Sequence, residues 1–231
     1  MITAAAQLQS EFARHMATMP VIAILRGVRS DEVLGVAEAI IAAGVTMIEV
    51  PLNSPDPFAS ISLLASHCGD RAIVGAGTVL NPADVVRCRD AGGQLIVSPN
   101  MRPDVIAASV SAGMISAPGC MTPTECFAAL DAGAHAIKLF PGELASPASV
   151  KALRAVLPPA ARLLVVGGVT PQNARLFLEA GADGFGVGGA IYRSGHSAAQ
   201  AGANAAAFAQ LLSGATTAPV RGAAGAPLSA N

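Results

Sequence analysis

Two kinds of apolar spacing alternate along this chain. Short, nearly unbroken apolar runs occur at Val21–Leu25, Met47–Val50, Ala72–Gly75, Gln94–Val97, Ile115–Ala117, Ala136–Leu139, Leu163–Val166 and Gly184–Val187. After each run, apolar residues recur at helical spacing, over about residues 30–43, 57–67, 82–91, 103–112, 123–132, 147–157, 171–180 and 197–212. Runs without polar alternation describe strands buried on both faces, the condition of a parallel sheet covered by helices. One more helix-period segment, residues 3–18, precedes the first strand. Eight strand–helix units in succession predict an α/β fold, a (β/α)8 TIM barrel with an extra N-terminal helix. The pattern fills residues 1–213 as a single domain. It stops at 214–231, where Ala, Gly, Pro and Thr offer little to bury and a disordered tail is expected.

Helix boundaries carry their own signals. Asn81-Pro82, Thr122-Pro123, Ser146-Pro147 and Thr170-Pro171 each set a capping side chain before a proline at the first helical position. Thr122 with Glu125 has the spacing of a capping box. Glycines at 44, 92, 113, 133 and 181 follow an alanine where helices should stop, which predicts left-handed terminations.

Composition narrows the function classes. Of 231 residues, 52% are hydrophobic and 13% charged, with a net charge of −1. That supplies a large core and no electrostatic footprint for nucleic acid. Aromatic residues are 3% of the chain, too few for base-stacking platforms. No apolar run reaches membrane-spanning length, and no basic stretch followed by an apolar core marks a signal peptide, so a cytoplasmic location is expected. Cys68, Cys88, Cys120 and Cys126 form no CxxC pair and read as free core thiols. His15, His67, His135 and His196 lack metal-ligand spacing, so a zinc or iron site built from them is not expected.

In a barrel, reactive groups sit at the carboxyl ends of the strands and in the loops that follow. The first strand ends in Arg26-Gly27, the second in Glu49-Val50-Pro51-Leu52-Asn53, the third in Gly75-Ala76-Gly77-Thr78 and the fourth in Ser98-Pro99-Asn100. The fifth ends in Pro118-Gly119-Cys120, the seventh in Gly167-Gly168 and the eighth in Gly188-Gly189. The sixth carries Lys138, one of only two lysines in the chain. A lysine within an apolar strand either snorkels to solvent or is desolvated. Desolvation lowers its pKa and frees the amine as a nucleophile toward a ketone. Glu49 is its natural partner, since a carboxyl in an apolar barrel mouth has a raised pKa and can shuttle protons. The plainer role of Glu49 is an ion pair with Arg26 or Lys138. Arg26 is suited to a fork on a substrate carboxylate, or otherwise to a salt bridge with Glu49. Thr78 offers a hydroxyl, and Pro99 and Pro118 shape the wall. The two Gly-Gly turns let backbone N–H groups approach an anion closely, which suits a phosphate.

These motifs carry a resemblance. Ile22-Ala23-Ile24-Leu25-Arg26-Gly27, Glu49-Val50-Pro51-Leu52-Asn53-Ser54-Pro55, Gly75-Ala76-Gly77-Thr78-Val79, Pro118-Gly119-Cys120, Ile137-Lys138-Leu139-Phe140-Pro141 and Gly167-Gly168-Val169 together resemble the class I aldolases that cleave 2-keto-3-deoxy-6-phospho sugar acids. The resemblance implies that Lys138 forms a Schiff base with the substrate ketone and that Glu49 moves protons. It further implies a phosphorylated keto acid as substrate, pyruvate and glyceraldehyde 3-phosphate as products, no cofactor, and a homotrimer. Members acting on the gluconate epimer usually carry an arginine a few residues after the glutamate and a threonine before the Gly-Gly pair. Pro51-Leu52-Asn53-Ser54 and Val166 stand here instead, which resembles the galactonate-type branch and galactonate catabolism. With no arginine after Glu49, Arg26 becomes the candidate cation for the substrate carboxylate, and Asn53 is a further substrate-binding candidate. Gly189 stands where relatives often have a serine that contacts phosphate, leaving more of that work to backbone donors. Three alternatives stay open on sequence: a gluconate-type or dual-epimer aldolase, a phospho-sugar isomerase or epimerase using Glu49 without a covalent intermediate, and a non-catalytic phospho-sugar binder.

Overall fold

The computed structural model describes residues 3–213. In chain order the elements are α1 (Ala4–Thr18), β1 (Val21–Ile24), α2 (Val33–Ala42), β2 (Met47–Pro51), α3 (Pro57–Cys68), β3 (Ile73–Gly77), α4 (Pro82–Asp90), β4 (Leu95–Val97), α5 (Pro103–Ser111), β5 (Ile115–Ala117), β6 (Gly119–Cys120), α6 (Pro123–Asp131), β7 (Ile137–Leu139), a 3-10 turn (Gly142–Leu144), α7 (Pro147–Val156), β8 (Leu163–Val166), α8 (Pro171–Glu179), β9 (Gly184–Val187) and α9 (Ala198–Ser213). Every strand pairing is parallel, in the order β5-β4-β3-β2-β1-β9-β8-β7-β6. The tail expected over 214–231 lies outside the described residues.

The fifth barrel strand departs from the sequence reading, which ended it at Ala117 and gave Pro118-Gly119-Cys120 to a loop. Gly119–Cys120 is a strand segment of its own. Proline at 118 has no N–H to donate, so the strand changes partners there. Before it, β5 pairs with β4; after it, β6 pairs with β7, Gly119 opposite Lys138. Ala136 N donates to Ser116 O at 3.3 Å and Lys138 N to Pro118 O at 2.9 Å, which joins the two edges of the sheet. The result is the (β/α)8 TIM-type barrel that the repeat predicts.

Local signals hold the helices in place. The Asn81 side chain accepts from Asp84 N at 2.9 Å, and Thr122 and Glu125 form a reciprocal capping box. All five terminating glycines have positive φ, from +74° at Gly113 to +105° at Gly181. The four cysteines are free and buried. Among the described residues no helix is long and apolar enough to cross a membrane.

Alternation along each strand divides the core in two. Val21, Ala23, Ile48, Val74, Ile137 and Val165 point outward into a layer completed by helix residues such as Val36 and Ile40. Ile22, Ile24, Met47, Ile73, Leu95, Ile115, Leu164 and Val166 point inward. The inner cluster also takes Leu8, Phe12 and Met16 of α1, spaced four residues apart and so on one face of that helix. Arg162, just ahead of β8, stacks on the Phe12 ring with 5.5 Å to its centroid. Helix α1 therefore plugs the amino end of the barrel, and the reactive end is the opposite one. Phe12→Ala should cost about 3–5 kcal/mol of stability through lost burial and a cavity at the plug. Urea unfolding measures this, and a cost below about 1 kcal/mol would remove the plug from the account.

Candidate active site

Lys138 is the middle residue of β7. Its neighbours Ile137 and Leu139 take the outward positions, so the lysine points into the barrel. It is 5% exposed. Its Nζ lies 4.6 Å from the centroid of the Phe140 ring, a cation–π distance when the amine is charged. Burial holds its pKa below the ordinary lysine value; Glu49 opposes that shift and the charge of Arg26 adds to it. The peptide bond from Phe140 to Pro141 is cis.

Glu49 takes the inward position at the centre of β2 and is 2% exposed. Burial pushes its pKa up to about 7, against the pull of Lys138 and Arg26. Its Oε2 is buried without a hydrogen-bond partner. Such an atom costs stability unless water or a ligand meets it. The space for the carboxyl exists because residue 77 is glycine: a Cβ there would stand 1.6 Å from Oε2. For both groups desolvation outweighs the attraction between them, so each is drawn toward its neutral form. An amine that gives up its proton more readily than usual, beside a carboxyl pushed up to about 7, is suited to attack a carbonyl and to exchange protons with the product of that attack.

Lys138 and Glu49 open into one narrow cleft, lined otherwise by Ile22, Ile24, Val97, Ala117, Leu164, Val166 and Gly186. Its walls are apolar, which keeps the two ionisable groups dry. Of the residues singled out on sequence, Lys138, Glu49 and Val166 line this cleft. Gly188 adjoins it, since a Cβ there would lie 3.8 Å from the Ile24 Cβ. Gly186 went unnoticed, although glycine at alternate positions 184, 186 and 188 was a legible signal that β9 presents no side chains inward.

The remaining candidates lie in the loops at the strand ends. Arg26 is exposed and donates to Asn53 Oδ1 at 2.8 Å. This corrects the salt bridge to Glu49 considered on sequence: the guanidinium reaches along the rim, where an amide accepts from it, while Glu49 stays inside. Gly27 N donates to Ser54 Oγ at 2.9 Å, so the same two loops are tied twice. Thr78 has φ +57°, a costly conformation for a β-branched residue. Pro99 acts through its backbone, since its carbonyl lies 2.2 Å from where a Gly119 Cβ would be, and it is not among the cleft residues. Gly167 and Gly168 have φ +110° and +66°, and α8 begins just beyond them. Glu143, which the sequence reading passed over, lies on that turn: a Cβ on Gly168 would be 3.1 Å from Glu143 Cγ and 3.6 Å from its Cα. Arg193, also passed over, donates from Nε to Gly189 O at 3.0 Å. Among the described residues no group of three or more His, Cys, Asp or Glu side chains is placed to hold a metal ion.

A desolvated lysine facing a buried carboxyl at the carboxyl end of a barrel has the chemistry of the imine-forming carbon–carbon lyases. The chain belongs to the KDPG and KHG aldolase family, whose model matches residues 12–205. It is 47% identical over 190 residues to the 2-dehydro-3-deoxy-6-phosphogalactonate aldolase of Escherichia coli strain K12, covering 82% of this chain and 93% of that protein. A native KDPGal structure superposes with a TM-score of 0.83 at 46% identity, over 84% of this chain and 95% of that one. A Legionella pneumophila KDPG aldolase, crystallised with pyruvate captured at low pH as a covalent carbinolamine, superposes with a TM-score of 0.71 at 25% identity. That match covers 86% of this chain and 95% of the other.

The carboxyl of Glu49 carries a linked stability prediction. Its folded pKa is raised from the ordinary 4.5 to about 7. Its protonated form is therefore favoured by folding, and that contribution is complete below about pH 4.5 and lost as pH rises through about 7. Glu49→Gln removes the dependence. The melting temperature of the variant minus that of the parent should grow between pH 5 and pH 8, by the equivalent of up to ~3 kcal/mol. Calorimetry at the two pH values measures this, and a difference that does not change with pH would contradict the burial assigned to Glu49.

Proposed function

We propose that this protein cleaves 2-dehydro-3-deoxy-6-phosphogalactonate to pyruvate and glyceraldehyde 3-phosphate, with Lys138 as the imine-forming residue and Glu49 as the proton carrier. The observation that carries the proposal is the pair itself, two nearly inaccessible ionisable groups facing one apolar cleft, with Glu49 Oε2 unpartnered.

Neutral Lys138 adds to the C2 ketone and gives a carbinolamine. Glu49 in its acid form protonates the departing C2 hydroxyl, and loss of water leaves the protonated imine. Glu49, now a carboxylate, takes the proton of the C4 hydroxyl. The C3–C4 bonding pair moves into the imine as an enamine, and C4 leaves as the aldehyde carbon of glyceraldehyde 3-phosphate. Protonation of the enamine at C3 and hydrolysis of the imine release pyruvate and restore the amine. Glu49 must hold and yield a proton within one turnover, and a pKa of about 7 suits both. Arg26 and Asn53, joined at the rim, take the substrate carboxylate. Thr78 and Pro99 border the mouth, and Val166 meets the chain of the substrate near C4. The phosphate rests on Gly167-Gly168 and Gly188-Gly189, far enough from C2 that its binding positions the scissile bond.

The galactonate epimer is supported by the higher identity to the galactonate-acting relative, 47% against 32% for the KHG/KDPG aldolase of Escherichia coli strain K12, and by Val166 in the cleft. The family resemblance also supports a homotrimer; sedimentation should give about three times the 22.9 kDa chain mass. For the reaction, borohydride reduction in the presence of pyruvate should add one adduct to the protein, at Lys138. Lys138→Ala should lose both the adduct and turnover while keeping its circular dichroism spectrum. Side-by-side kinetics should give a higher kcat/KM for the galactonate epimer than for the gluconate one. An adduct at another residue would refute the lysine assignment, and preference for the gluconate epimer would refute the substrate.

A further inference from the structure

We propose that Arg193 is the cation that binds the substrate phosphate, held against the Gly188-Gly189 turn and pointed there by the hydrogen bond from its own Nε. This rests on the phosphate position given above and adds the residue that sets its affinity.

The two glycine turns carry opposite charge. Glu143 covers Gly167-Gly168 with its stem as well as its carboxyl, since even its Cα is 3.6 Å from a would-be Gly168 Cβ. An anion entering on that side comes close to the Glu143 carboxylate, which lies beside Gly167. Backbone N–H groups alone would have to overcome that repulsion. A phosphate dianion is bound far better where a guanidinium offers paired donors.

Arg193 is in place to do so. Its Nε donates to Gly189 O at 3.0 Å. Its Nε and Nη2 lie 3.3 Å and 3.8 Å from where a Cβ on Gly189 would stand, so the absence of a side chain at 189 leaves the guanidinium its position. The backbone beneath is fixed from both sides. Ile191 N and Tyr192 N donate to Gly188 O at 2.8 Å and 2.9 Å, and Tyr192 is buried. On the far side His196 N donates to Arg193 O at 2.9 Å, and Arg193 N donates to His196 Nδ1 at 3.3 Å. The guanidinium is exposed, and among the described residues no carboxylate lies within ion-pair distance of it. Its charge is therefore available to a ligand. The other cations of the mouth are committed: Arg26 to Asn53 and the carboxylate end, Lys138 to the imine.

The test uses the full chain and inorganic phosphate, whose affinity is measured by calorimetry and by competitive inhibition of cleavage. Arg193→Gln should weaken phosphate by about ten- to a hundredfold, the range for losing a charged hydrogen-bonding group. It should raise KM for the phosphorylated substrate to a similar degree, with a much smaller change in kcat, and Arg193→Lys should restore part of the loss. Arg14→Gln, which removes the same charge from α1 at the plugged end, should leave phosphate affinity within about twofold, because exposed charges at that distance are screened. Unchanged phosphate affinity in Arg193→Gln, or an equal loss in Arg14→Gln, would overturn the proposal. Failure of the aldolase reading itself is seen separately, as absence of the pyruvate adduct in the unsubstituted protein.

Discussion

Desolvation of one lysine is the constraint on which the rest of this structure depends. An amine inside a barrel can be held neutral only if its surroundings stay dry and its one acidic neighbour does not reclaim the proton. Lys138 and Glu49 are both shifted in that direction. Burial is the largest influence on each, and their mutual attraction comes second. A tight ion pair would have been stable and inert, since opposite charges at contact restore ordinary ionisation. Shifting both toward their neutral forms costs stability and sets an amine and a carboxyl, each easier to discharge than usual, in one cleft.

Packing elsewhere maintains that condition. Helix α1 covers the amino end with Leu8, Phe12 and Met16, which are buried in the inner cluster. Gly77 gives the Glu49 carboxyl its place, and Gly186 leaves room beside Val166. The split of the fifth strand at Pro118 lets Gly119 pair beside Lys138, with Pro99 O in the space a side chain would take. These glycines sit where a side chain on one strand would collide with a neighbour, so their role is to be absent in a particular direction.

Most of this was legible in the sequence, for reasons that also explain the exceptions. Parallel strands announce themselves as apolar runs, and the predicted Leu163–Val166 and Gly184–Val187 coincide with β8 and β9. Lys138 and Glu49 stood out because a charge inside such a run is costly to bury. Loop geometry has no comparable period. Nothing in Arg26-Gly27 tells that the guanidinium would turn along the rim to Asn53 rather than inward to Glu49. Nothing in Gly77-Thr78 tells that the threonine would take a positive φ. Glu143 and Arg193 were missed because each is a polar residue in an irregular segment, the commonest thing on a protein surface. Their interest lies in which glycine each one covers, and tertiary structure alone supplies that.

The central claim is the depressed pKa of Lys138, and the composition makes it directly measurable. The chain has two lysines, so protein labelled at lysine Cε gives two resonances, and the one missing from Lys138→Ala identifies itself. Titrated by NMR in the free protein, that resonance should show a midpoint below the ordinary lysine value of 10.5. Glu49→Gln should move the midpoint lower still, because the carboxylate is the influence that raises it. A midpoint at or above 10.5 would mean that Lys138 is a solvated or ion-paired cation, and the account built on its desolvation would be wrong.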